Sequence, residues 1–169
     1  MIRLGERAAA AAASLLSGKL PAALAEIQAA DPSVELTAPE EWYLHERACA
    51  RDDRCYGEVW VRTIDGFDRA GMASAAGRVM CRAALTVRIT VVNRGPGRAD
   101  WMEKALHRYA AAVVAVLTKN PTLGGTDDSV EFAAIDRVDV NAPKAVEAGT
   151  TQAVGQVRVA LKATLIEIA

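Results

Sequence analysis

Between residues 81 and 93 apolar and polar positions alternate: Cys81, Ala83, Leu85, Val87, Ile89 and Val91 fall on one side, Arg82, Ala84, Thr86, Arg88 and Thr90 on the other. A period of two is the signature of a strand, whose successive side chains point to opposite faces. One apolar and one polar side predict an antiparallel sheet covered on a single face, because a sheet buried on both faces reads as a continuous apolar run. The alternation returns over residues 153–168, where Val157, Val159, Leu161, Ala163 and Leu165 oppose Gln156, Arg158, Lys162 and Thr164. Weaker strand signals lie over residues 57–65, ending at Asp65-Gly66, and over residues 129–140.

Other segments follow the helical period. Trp101, Ala105, Leu106, Tyr109, Ala112, Val113, Val116 and Leu117 recur at helical spacing, between a capping box of Asp100 with Glu103 and the stop Lys119-Asn120-Pro121. This helix is expected to lie across the apolar face of the sheet. Residues 3–17 are rich in Ala and Leu and end at Gly18, which predicts one helix; Pro21 opens a second, closed by Asp31-Pro32. Residues 33–54 fit no single period and read as a loop with a short helical turn. Residues 67–77 and 141–151 read as irregular loops.

The expected fold is therefore α+β in the order ααββαββ: a mostly antiparallel sheet of four or more strands, one face under a long helix, with a helical N-terminal arm. Residues 1–169 form one domain, with the arm at 1–31 and the α+β core at 57–168; 169 residues suffice to bury roughly two-thirds of the surface exposed by the unfolded chain. The arm reads as an ordinary core helix pair or as an Ala-rich face that packs on a neighbouring subunit; on the second reading, deletion of residues 1–17 leaves a folded domain that fails to oligomerise. Aromatic residues make up only 5% of the chain, so the core must be built from small and aliphatic side chains.

Twenty basic against twenty-one acidic residues provide no long-range field to collect nucleic acid or an anionic membrane. The apolar run after Met1 is interrupted by Glu6 and Arg7, which argues against a signal peptide, and no stretch reads as a bilayer span. The chain is thus expected to stay in the cytoplasm of the cell that makes it. Cys49, Cys55 and Cys81 lack metal-ligand spacing and read as reduced thiols, although Cys49 and Cys55 are near enough to bridge in an oxidising setting.

Candidate chemistry is sparse. His45 and His107 are far apart, and His107 falls on the polar side of the main helix near Glu103. Cys81 opens a strand on its apolar face, a place for a small core residue. Asp52-Asp53 and Asp127-Asp128 lack the alternating ligands of a hard-cation loop. The glycines at 124–125 follow a helix, whereas a phosphate cradle precedes one; Gly95-Pro96-Gly97 lacks the third glycine and βαβ context of a dinucleotide site. No catalytic, cofactor-binding or metal-ligating residue is assigned, and no cofactor is expected. Arg82, Arg88, Arg158 and Lys162 share the polar sides of two strands. They read as a solvated face, or in a ring of copies as a basic patch facing a neighbour or a central channel.

The strand at 85–92, the helix running through 103–110 and 112–117, the phrase Asn120-Pro121-Thr122-Leu123-Gly124-Gly125 and the paired terminal strands together resemble the tail terminator, or tail-completion, proteins of tailed bacteriophages and related gene transfer particles. The resemblance covers residues 79–168, with a weaker echo in the helical start and in Trp42-Tyr43-Leu44. It implies a structural virion subunit of the tail neck, without an active site, that forms a ring of six copies. Such a ring caps the tail tube, joins it to the head connector or stopper protein and sits close to packaged DNA, with no membrane involved. Another neck or tail component, such as a head-completion, stopper or tail-tube subunit, stays open as an alternative, as does a small-molecule-binding or enzymatic α+β domain.

Overall fold

The structure is a computed structural model, and it describes residues 2–47, 55–69, 78–93, 99–124, 130–145 and 153–168. Two helices and five strands follow in the order α1 (Ile2–Ala30), β1 (Glu41–Tyr43), β2 (Tyr56–Arg69), β3 (Arg78–Asn93), α2 (Ala99–Lys119), β4 (Val130–Ala145) and β5 (Ala153–Ile168). The strands form one sheet in the order β1-β2-β3-β5-β4. The β1–β2 pair is parallel; the other three pairs are antiparallel. The chain is α+β, and its alternating segments became strands as expected.

Both helices pack on one face of the sheet, here called the inner face. Cys81, Ala83, Leu85, Val87, Ile89 and Val91 of β3 are all buried there, beside Val157, Val159, Leu161, Ala163 and Leu165 of β5. Opposite them lie Met102, Leu106, Tyr109 and Val113 of α2, in the same apolar cluster. The small residues of α1 let it approach closely, and its Ala8 and Ala12 are fully buried.

Several expectations are corrected. The two N-terminal helices are one: α1 runs 29 residues through Gly18 and Pro21. An interior proline costs a hydrogen bond, but Leu16, Leu20 and Leu24 form one buried stripe across the expected break, so tertiary burial outweighs local preference. Of the two readings of the arm, the packing is that of a core helix, because Leu4, Leu16 and Leu20 belong to the same core as the sheet. The span 3–30 is, contrary to the reading above, long and apolar enough by length and composition to cross a membrane; here one side of it packs inside the fold.

Within the segment read as a loop, β1 pairs with β2 through Trp42↔Gly57, and the Trp42 ring fills the space a side chain at Gly57 would need. A Cβ at Gly57 would lie 2.3 Å from Trp42 Cε3. The strands β2 and β4 continue through Arg69 and Ala145, so the starts of both expected irregular loops are strand. The remainders of those loops, 70–77 and 146–151, lie outside the described residues, as do Cys49, Asp52-Asp53, Gly95-Pro96-Gly97 and Asp127-Asp128. Helix α2 begins at Ala99, which puts Asp100 inside the first turn.

The phrase after α2 has a structural account. The Asn120 side chain donates to the Val116 carbonyl at 2.7 Å and accepts from Lys19 Nζ at 2.7 Å, closing α2 and tying it to α1. Leu123 and Gly124 follow with positive φ, and Leu123 is buried in the core. A Cβ at Gly124 would lie 2.9 Å from Leu15 Cδ1, so glycine answers both the backbone turn and the approach of α1. Pro121 then accepts at its carbonyl from the Ala133 amide at 2.6 Å, which ties the turn to β4.

Candidate functional site

The outer face of the sheet carries the polar positions, and strand register decides which of them meet. Glu58 of β2 pairs with Arg88 of β3, Arg88 with Arg158 of β5, and Arg158 with Asp139 of β4. One row of four charged residues therefore crosses the sheet. At its β2 end the ion pair is bidentate: Arg88 Nε donates to Glu58 Oε2 at 2.6 Å and Nη2 to Oε1 at 2.7 Å. Glu58 is 0% exposed and Arg88 6%. Hydrogen bonding to Glu58 raises the Arg88 pKa further above its ordinary value, the strongest influence on it, while burial pulls the other way.

This burial corrects the expectation of a sheet covered on one face alone. Thr86 and Thr90 on the outer side are buried too. Over the Glu58–Arg88 pair passes a short strap, residues 44–47. The Arg47 amide donates to Glu58 Oε1 at 2.7 Å, Arg88 Nη2 donates to the Arg47 carbonyl at 3.0 Å, and Arg88 Nη1 reaches Glu46 Oε1 at 3.2 Å. The Arg47 guanidinium lies 4.3 Å from the Tyr43 ring centroid and 5.4 Å from that of Tyr56, and Arg88 lies 5.1 Å from Trp60.

The four basic residues singled out from the sequence do share this face, but they do not form an open cationic patch. Arg88 is spent on Glu58. Lys162 Nζ pairs with Asp136 at 2.6 Å, and Arg82 stands opposite Asp65 across the β2–β3 pair. Arg158 is half-buried, and its Nε is buried with no hydrogen-bond partner among the described residues. Its cross-strand neighbour Asp139 accepts instead from Arg137 Nε at 2.9 Å. Glu58 was missed because its partner is fixed by register across a bulged hairpin, which no spacing in the chain reports.

On the helical side, Tyr109 Oη donates to the Thr37 carbonyl at 2.6 Å and accepts from the Thr37 amide at 3.0 Å. Burial pushes the neighbouring Cys55 thiol up to about 12 and raises Tyr109 as well. Arg108 holds the turn after α1, donating to the Asp31 carbonyl at 2.9 Å and Ser33 Oγ at 3.0 Å and pairing with the Asp31 carboxylate. Hydrogen bonds from Ser33, backbone first, and then Arg108 keep the Asp31 carboxyl below the usual range. His45 and His107 are both exposed, and the ring of His45 meets that of Tyr43 edge-on. Cys81 is a buried core residue. Among the described residues no group of three or more His, Cys, Asp or Glu is placed to hold a metal ion.

Comparison with protein-family models finds no match for the chain, and comparison with curated proteins finds none either.

Proposed function

We propose that this chain is a structural subunit of a phage-type tail neck, a tail terminator. It assembles head to tail into a ring of six that caps the tail tube and meets the head connector or stopper. The resemblance over residues 79–168 supplies the family. The observation that carries assembly is the state of the sheet's two ends. Among the described residues, the edge of β2 facing away from β3 has a strand partner only at Tyr56–Glu58, where β1 lies, and β4 has β5 on one side and no strand on the other. Three antiparallel steps separate β2 from β4, so the two run in opposite directions. A neighbouring copy in the same orientation can therefore add its β2 to β4 as a further antiparallel strand, the repeating heterologous contact a ring requires.

Charge on the bulged residues fits the same reading. Arg62 interrupts the β2 register, and Glu131 and Asp136 interrupt that of β4. Charged bulges blunt an edge against indiscriminate pairing, while opposite signs favour the edge of another copy. Apolar surface stands beside them: Phe132 is 52% exposed and Val138 38%.

The double variant Phe132→Lys, Val138→Lys tests this edge, because both positions are already open and lysine there guards a strand. It should keep the wild-type melting temperature while losing rings in negative-stain images of protein mixed with tail tubes. Rings indistinguishable from wild type would refute assembly through β4.

A further inference from the structure

We propose that residues 44–47 are a removable strap on the outer face of the sheet and that Glu58–Arg88 is its latch. A buried ion pair adds little net stability, because the desolvation of two charges offsets their attraction; what it does supply is a fixed arrangement. Here that arrangement reaches beyond the pair. Among the described residues, two side-chain hydrogen bonds join Glu58 to Arg88 and three reach the strap: the Arg47 amide to Glu58, and Arg88 to the Arg47 carbonyl and to Glu46.

The two halves of the device differ in how firmly they are held. Glu58 and Arg88 stand opposite each other on β2 and β3, flanked on the inner face by the buried Val59, Val87 and Ile89. The strap has no regular hydrogen-bonded structure. Its Leu44 is 50% exposed, and His45 and Glu46 are exposed as well. Segments with many solvent-facing groups and few buried contacts open at low free energy, while the strands beneath stay closed. Lifting the strap leaves the sheet intact and uncovers Arg88 in the row it shares with Arg158, whose Nε has no hydrogen-bond partner among the described residues. The closed strap thus covers the guanidinium of Arg88, whose cross-strand neighbour on β5 is Arg158. The inference rests on this geometry alone and is independent of the assembly reading.

The test is amide hydrogen exchange on the full chain and on Glu58→Leu, Arg88→Met, which replaces the pair by apolar side chains of similar size. Exchange over residues 44–47 should accelerate at least tenfold, while α2 and β5 keep their protection. Arg88→Lys provides the second variant, since one ammonium group cannot serve Glu58, Glu46 and the Arg47 carbonyl together. It should fold and show a smaller acceleration confined to the strap. Unchanged exchange at 44–47 in both variants would overturn the latch. So would acceleration spread evenly over strap and sheet in Arg88→Lys, since the pair would then be holding the fold.

Discussion

Replacing Leu16 by Ala separates a core helix from an assembly arm. Leu16 is fully buried in α1, midway along the stripe that includes Leu20 and Leu24. Truncating a buried leucine removes its transfer free energy and leaves a cavity, together about 3 kcal/mol. For a domain of this length each kcal/mol lowers the midpoint of thermal unfolding by about 2–4 °C, so the variant should melt roughly 6–12 °C below wild type. Deleting residues 1–17 is harsher. It removes Leu4, Leu15 and Leu16 from the interior, about 5–9 kcal/mol from burial alone. That is the scale of a whole domain's stability, about 5–15 kcal/mol, so the truncated chain should not fold. Circular dichroism melts of dilute protein, with the exposed-site variant Ser14→Ala as control, measure both. A Leu16→Ala melt within 2 °C of wild type, or a cooperative melt from the truncation, would refute the placement of α1 in the core.

Further outcomes follow from individual contacts. Arg88→Met alone should cost about 3–5 kcal/mol in urea unfolding, because Glu58 stays buried without its partner; a change under 1 kcal/mol would contradict the burial. Gly57→Ala should displace Trp42, cost about 1–3 kcal/mol and shift tryptophan emission to the red, and unaltered emission would count against their contact. Cys55 has its thiol pKa raised from 9.0 to about 12. The unfolded thiol ionises first, so its contribution is fully present below pH 9 and is lost as pH rises from 9 towards 12. Cys55→Ala should flatten the fall in stability over that window, and an unchanged alkaline slope would refute the assignment.

Legibility in the chain followed the length of each pattern. Strand β5 was readable because Val157, Val159, Leu161, Ala163 and Leu165 alternate with Gln156, Arg158, Lys162 and Thr164, and α2 because its apolar stripe spans about five turns. The three residues of β1 are too few to carry a period, and what fixes them is the Trp42 ring on Gly57, a contact between different segments. At Gly18 and Pro21 the local signals for a break are real, yet the leucines on either side share one buried face. The four basic residues do lie on one face of the sheet, although Arg88 is buried there and not solvated. Their acidic partners Glu58 and Asp136 were not foreseen, since pairing depends on bulged registers that composition and periodicity leave open.

The proposed role is tested most directly by the mass of the purified protein, measured alone and after incubation with finished tail tubes. A particle of about six times the 17.9 kDa subunit, seen as a closed ring at the tube end, is the predicted result. A chain that stays at one subunit mass and leaves the tube ends bare would contradict it.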